Sequence, residues 1–342
     1  MIDGKARRIA HLAVCAWIGV VPASVIAAEN QESEPDARRQ SRDDAWWTGP
    51  ILAASANTLP KGHALIEPYV FSVISQGRYD DDGHRRGGPS RQSYGSLTYM
   101  NYGLVDDVTV GVIPRFGYNH VSAGRDSSGL QLADFMVQGQ YRFTQFREGS
   151  RVPTLSLVIA ETLPTGKYDR LGTRPSDALG SGAYTTTASL YSQYFLWMPN
   201  GRIMRTRLNV SYSISDTVSV EDVSVYGTAQ GFRGQAKPGR VFLVDSAWEY
   251  SLTRSWVLAL DVAYEHDERT TLSGLDPAPL GNNAQALPVH RDFGWGEVFT
   301  LAPAVEYNWN SRMGVIVGAI FTAAGRNASA SVIPVAAINM VF

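Results

Sequence analysis

Few residues in this chain are grouped as covalent chemistry would require. Asp82-Gly83-His84 has the Asp-x-His form used by outer-membrane proteases, in which an acid holds a histidine that activates water. It stands in a YDDDGHRR stretch, and such a site needs further acids on facing strands, so a solvated loop is the simpler reading. His63, His84, His120, His266 and His290 include no two at metal-ligand spacing on one element, and Asp80, Asp81 and Asp82 do not follow the spacing of an EF-hand loop. There is no Gly-x-Ser-x-Gly elbow and no Ser and His on a common outward face of the kind an outer-membrane phospholipase needs. The single cysteine, Cys15, lies in the N-terminal leader described below. No catalytic residue, metal or cofactor is therefore expected, and the chain reads as a non-enzyme.

What the sequence does carry is charge at every second position of otherwise apolar segments. Arg115, Asp134, Arg142 and Arg207 come from the segments between residues 108 and 216, and Asp245, Glu249, Asp261, Glu265 and Glu306 from those between 240 and 308. Each alternates with large apolar neighbours. Phe135, Val137, Tyr141 and Phe143 oppose Asp134, Gln138, Gln140 and Arg142; Trp256, Leu258, Leu260, Val262 and Tyr264 oppose Asp261 and Glu265. A period of two places such residues on opposite faces of a strand. An Arg or Lys on a lipid-facing position at mid-bilayer costs about 2–4 kcal/mol, so the charged face must look into an enclosed lumen. Two fates of the charges follow: a transverse field of bases against acids across an open pore, or charges that pair and fill the interior.

Twelve such segments are expected after residue 62: 63–74, 93–103, 108–119, 130–144, 153–162, 183–197, 206–216, 240–251, 256–266, 297–308, 312–322 and 332–342. Their connections alternate between short (104–107, 145–152, 198–205, 252–255, 309–311) and long (75–92, 120–129, 163–182, 217–239, 267–296, 323–331). That asymmetry describes an all-β, transmembrane, antiparallel up-and-down barrel with both termini in the periplasm. Lipid offers the backbone no hydrogen-bond partner, so a spanning sheet has to close on itself. Secreted sandwiches and propellers also alternate, but they do not require long and short connections in turn. Strands one, two, five and six are less decisive: Glu67 shares a face with Leu65, Tyr69 and Phe71, and Glu161 falls in register with Leu155, Leu157 and Ile159. A bulge near Ala160, or a strand that leaves the membrane before Glu161, accommodates the second case.

Lys5, Arg7 and Arg8 precede an apolar run from Ile9 to Ala28, which reads as a secretory signal peptide (1–28) cleaved after Ala27 or Ala28. Its removal takes three bases and one acid from 30 Lys/Arg and 32 Asp/Glu, leaving 27 against 31. No basic tract marks a nucleic-acid partner. Residues 29–62 form a periplasmic N-terminal segment, polar to residue 45 and then WWTGPILAASANTLPKG. There, Trp46 and Trp47 either seat at the membrane-water boundary, the favoured reading, or plug the barrel mouth. The outer-membrane barrel is then 63–342. Mean hydropathy is −0.14, as expected when only alternate residues meet lipid. The C-terminal segment VIPVAAINMVF places Val332, Pro334, Ala336, Ile338, Met340 and Phe342 on one face, and the terminal Phe342 resembles the signal read by the barrel-assembly machinery.

The run GPILAASANTLPKGHALIEPYV, then YGLVDDVTVGVIPRFGY, LPTGKYD (163–169) and LGSGAY (179–184), resembles the outer-membrane family labelled for the MetA pathway of phenol degradation, from about residue 49 to the end. The resemblance implies a transporter-like barrel of the Gram-negative outer membrane, associated in some members with uptake of aromatic or other hydrophobic compounds. The leading expectation is a channel for passive uptake of small organic solutes, with outer-membrane lipid, lipopolysaccharide and the barrel-assembly machinery as further partners. The alternatives are a structural or interaction barrel with a closed lumen, and, further off, a barrel protease or phospholipase.

Overall fold

The computed structural model describes residues 39–88, 91–122, 124–277 and 285–342; the expected signal peptide lies outside them. Twelve antiparallel strands form the wall. They are β1 (Ala64–Tyr79), β2 (Arg91–Val105), β3 (Val108–Ile113 and Arg115–Val121, on either side of Pro114), β4 (Phe135–Thr144), β5 (Thr154–Leu163), β6 (Thr185–Trp197), β7 (Ile203–Ser215), β10 (Val241–Ser251), β11 (Trp256–Asp267), β14 (Gly296–Asn310), β15 (Met313–Arg326) and β16 (Ser329–Val341). β1 pairs with β2 on one side and with β16 on the other, so the ring is closed and leaves no edge among the wall strands. The seam ends in a reciprocal pair: the Ala64 amide donates to the Phe342 carbonyl at 3.1 Å, and the Phe342 amide returns the bond at 2.8 Å.

The wall has opposite polarity on its two faces, as alternation dictates. Val112, Phe116, Tyr141, Leu157, Leu190, Leu208, Leu258, Leu301, Val317 and Ile338 stand exposed on the outside of successive strands. An apolar belt that runs around the whole molecule exceeds by far what a water-soluble surface carries, whereas lipid accommodates it. Aromatic residues bound the belt. At the end carrying the short turns Trp256 packs on Tyr307 at 4.8 Å and Tyr307 on Trp309 at 5.5 Å; toward the opposite end Tyr264 packs on Phe299 at 4.7 Å. Glu161 lies on this outer face with no register shift beside it, one residue pair from the end of the β5–β6 ladder, and accepts a 2.6 Å bond from Thr186 Oγ1. Of the two ways to accommodate it, the strand end is the one the register fits.

Three connections differ from the sequence expectation. The segment 323–331 is no loop: β15 and β16 run on and are joined by Asn327 and Ala328 alone, with Asn327 in the left-handed region (φ 48) that asparagine tolerates. The two longest loops are not irregular either. Within them β8 (Val218–Glu221), β9 (Arg233–Lys237), β12 (Thr271–Asp276) and β13 (Leu287–Asp292) pair as a separate four-stranded sheet. Its core of Val218, Val220, Phe232, Ala236 and Leu272 also buries Ala183 and packs Tyr168 from the neighbouring loop and Tyr226 from the connection between β8 and β9.

Candidate functional site: the barrel interior

The interior is divided along its length, and burial shows where. Along β7 the inward row Ile203, Arg205, Arg207 and Asn209 is buried, and Ser211 and Ser213 beyond it are half-exposed. Along β10 Glu249, Ala247 and Asp245 are buried before Leu243 and Val241 open; along β11 Ala259, Asp261 and Ala263 are buried before Glu265 opens. The buried stretch always faces the short-turn end. What covers it is the segment from Ala45 to Leu59, which runs inside the barrel.

That segment is held by its backbone. Thr48 and Gly49 donate their amides to Glu306 Oε2 at 2.6 and 3.2 Å; Ile51 and Ala53 donate to the two oxygens of Asp261, each at 3.0 Å. On the opposite side carbonyls accept: Ala53 O from Arg207 Nη1 at 2.7 Å, Ala54 O from Asn209 Nδ2 at 3.0 Å, Ser55 O from Gln140 Nε2 at 3.0 Å, and Ala56 O from Ser156 Oγ. A buried irregular segment must satisfy its amides and carbonyls from side chains, and here the barrel wall supplies both signs. Two glycines make the fit possible. Gly49 adopts φ 125 with the Arg207 guanidinium 3.3 Å from where a Cβ would stand, and a Cβ at Gly318 would lie 2.7 Å from Ile51 Cδ1. Trp47 meets Phe195 edge-on at 6.4 Å beneath the Arg205 guanidinium, and Arg254 covers Trp46. Of the two roles open to the tryptophans, the structure places Trp47 against inward-facing residues at the mouth, not on the lipid boundary, and residues 45–59 lie within the barrel instead of forming a free tail.

The nine charged residues picked out by alternation do not come together as one apparatus. Arg205 forks onto Glu249, Nε donating to Oε2 at 2.6 Å and Nη2 to Oε1. Arg207 Nε lies 3.1 Å from Glu249 Oε2, at an angle that makes an ion pair but no hydrogen bond. Glu249 thus serves two arginines, while Asp261 and Glu306 serve the N-terminal segment. Asp245 is buried across the β7–β10 ladder from Asn209, and Glu265 is half-exposed further along. Arg142 sits at the short-turn rim, donating to Asp107 Oδ1 at 2.6 Å. The bases at the short-turn end are thus each paired, Arg142 with Asp107 and Arg205 and Arg207 with Glu249, whereas Asp261 and Glu306 take backbone amides and Asp245 has no ion pair among the described residues. Arg205 escaped the sequence reading because strand seven was begun at 206; its place two residues before Arg207 was the available signal. Of the uncharged but deeply buried residues, Gln140 and Asn209 fall on the polar faces that alternation assigns, and Gln193 carries no such signal.

Asp134 has a different task. Its Oδ1 accepts from the Gly166 amide at 3.0 Å, and its Oδ2 from the Ser181 amide at 2.8 Å and hydroxyl at 2.9 Å. This single carboxylate clasps the LPTGKYD and LGSGAY stretches together. The intervening loop leans over the long-loop opening: Asn119, on the inward face of β3, donates to Ser176 O at 2.8 Å, and Leu179 Cδ1 comes within 3.0 Å of the Cβ position of Gly117. Tyr226, whose hydroxyl burial and neighbouring Tyr168 push up to about 12, stays protonated and donates to Ser181 O at 2.7 Å. In the first loop, Asp80 accepts the His84 amide at 2.7 Å and pairs with Arg86 at 2.8 Å, making the Asp82-Gly83-His84 stretch the tip of an exposed hairpin. Among the described residues no three His, Cys, Asp or Glu side chains converge as a metal-ligand group.

No protein-family model matches the chain, and no curated protein does. Solved structures resemble it in shape. An outer membrane channel from Pseudomonas putida F1 aligns at TM-score 0.64 with 14% identity, covering 85% of this chain and 100% of that one. The translocator domain of the autotransporter NalP from Neisseria meningitidis aligns at 0.40 with 11% identity over 82% and 89% of the two chains, and the Pseudomonas putida toluene transporter TodX at 0.35 with 12% identity over 89% and 96%. The first of these shows that the closed twelve-stranded antiparallel barrel of this chain is a fold shared with a solved outer-membrane channel.

Proposed function

We propose that the protein is an outer-membrane channel of the Gram-negative type, for passive uptake of small organic molecules, with its short-turn end and both termini on the periplasmic side. The observation that carries this reading is the divided interior: an inward face that stays water-accessible beneath the long loops, closed below by a separate, hydrogen-bonded segment instead of by side chains of the wall alone. A barrel that used its lumen only for stability could be filled by side chains of the wall and would have no need of a separate segment. The resemblance to the MetA-pathway family and the shared fold with a solved outer-membrane channel support the same reading, and aromatic or hydrophobic solutes are the class they suggest. Arg115, Asp134, Arg142, Arg207, Asp245, Glu249, Asp261, Glu265 and Glu306 would then line or organise the path. Lipid would contact the outer belt, lipopolysaccharide the long-loop end, and the barrel-assembly machinery the strand ending at Phe342.

One observation favours a second reading. The periplasmic half is filled, and the loop sheet β8–β9–β12–β13 offers a folded surface, so the molecule would also serve as an interaction barrel with a closed lumen. Swelling of proteoliposomes in small sugars and neutral aromatic alcohols separates the two. A channel admits some of these solutes, faster when residues 39–59 are deleted; a closed barrel admits none in either form.

A further inference from the structure

Of the inward-facing arginines, Arg142 is paired with Asp107, and Arg205 and Arg207 with Glu249. Arg115 is different. Its side chain makes no hydrogen bond or ion pair among the described residues, and its Nε is buried without a partner. Its position is fixed by the register Tyr69↔Leu97↔Arg115 across β1, β2 and β3, with Tyr69 and Leu97 packed in the interior. Asp134, the nearest acid in sequence on this face, is occupied by Gly166 and Ser181.

Beside Arg115 the half-exposed inner wall is apolar. Phe71, Leu97, Ile320 and Ile333 belong to the consecutive strands β15, β16, β1 and β2 and face inward, with Phe71 so close over Gly95 that no side chain would fit beneath it. On the other side of Arg115, Gln138 on β4 begins a polar arc that continues to Ser213 on β7. An inorganic anion would gain nothing from the apolar arc. A neutral hydrocarbon would gain nothing from an uncommitted guanidinium and would have to desolvate it. A molecule with one carboxylate and an apolar body uses both.

We propose that Arg115 is the anchor of a binding subsite for small monocarboxylates with an aromatic or bulky aliphatic body. The guanidinium fork takes the carboxylate and the arc of Phe71, Leu97, Ile320 and Ile333 takes the body. This rests on the channel reading and narrows it to a substrate class. The test is calorimetric titration of the full chain in detergent with benzoate, benzamide and acetate, comparing wild type with Arg115→Gln and Arg115→Lys. Benzoate should bind more tightly than either of the others. Arg115→Gln should weaken benzoate by about 10- to 100-fold, the range of a charge-assisted hydrogen bond, and leave benzamide unchanged, with Arg115→Lys between. Equal binding of benzoate by wild type and Arg115→Gln, equal losses for benzoate and benzamide, or no preference over acetate would each overturn the assignment. Swelling with neutral solutes, run in parallel, reports on the channel reading separately: solute entry without a benzoate preference rejects the subsite and keeps the channel, and benzoate binding without any entry does the reverse.

Discussion

Asp261→Ala should release the N-terminal segment. The Asp261 carboxylate takes two buried amide donors, Ile51 to Oδ2 and Ala53 to Oδ1, both at 3.0 Å. A hydrogen bond to a charged acceptor contributes about 1.5–3 kcal/mol, so two additive bonds would amount to about 3–6 kcal/mol. Part of that is returned, because the substitution also removes a fully buried carboxylate whose desolvation opposed burial. A net loss of about 2–3 kcal/mol displaces the equilibrium between seated and released segment by about 30- to 150-fold. Glu306, which holds Thr48 and Gly49 independently, stays in place and keeps the segment near the mouth. Single-channel recording in planar bilayers reads the outcome: wild type mostly closed, Asp261→Ala opening often to a level that deletion of 39–59 makes permanent. Identical records from all three proteins would refute the reasoning, because the segment would then have no influence on the path.

Glu249→Gln should be among the most destabilising single changes in the wall. It strips one buried acid from two buried arginines, and breaking such a pair costs about 3–5 kcal/mol, visible as a lower temperature for loss of the compact band on unheated gels. Asp134→Ala should free the loop 163–182, raising amide exchange at Gly166 and Ser181 while leaving the barrel strands protected. Asp126, half-exposed beyond the end of β3, has its carboxyl held below the ordinary range by the Val121 amide and then by His120, so its hold on the Val121 amide is present above that range and lost as pH falls through the depressed value. Exchange at the Val121 amide, corrected for intrinsic pH dependence, should accordingly stay flat through neutral and mildly acid pH and rise only in strong acid. Phe342→Ala should leave refolding in detergent intact, since the seam uses the Phe342 backbone, and reduce the amount assembled in the outer membrane of cells.

The wall was legible in the sequence because lipid enforces it. A residue that faces hydrocarbon cannot be charged and its neighbour need not be apolar, so alternation survives in β3, β4, β7, β10, β11 and β14 as a plain period of two. Legibility failed where that pressure is absent. The strands β8, β9, β12 and β13 lie in the long loops, are four to six residues long, and bury little beyond Phe232, Val220 and Leu272, so their sequence reads as Gly- and Ser-rich connection. The 323–331 stretch AAGRNASAS is too small and polar to announce a strand, yet backbone pairing carries β15 and β16 to the tight turn at Asn327. The N-terminal segment ILAASANTL is silent for another reason: it is held through main-chain amides and carbonyls, and main-chain bonds leave no side-chain signature. The partners of the buried charges were not legible, because Glu249 meets Arg205 and Arg207 through strand register, which no local spacing encodes.

The central claim is that a membrane-embedded barrel carries its own N-terminal segment as a displaceable filling of the path. Thr48 Oγ1 lies 2.9 Å from Asn308 Oδ1, and the chain has no cysteine besides Cys15, so the pair Thr48→Cys and Asn308→Cys offers a lock between segment and wall. Outer-membrane protein bearing both cysteines, recorded in planar bilayers before and after reduction, gives the most direct answer. The account predicts a crosslink within one chain, silence while oxidised and channel openings once reduced. Protein recovered soluble without detergent, or currents that reduction does not change, would contradict it.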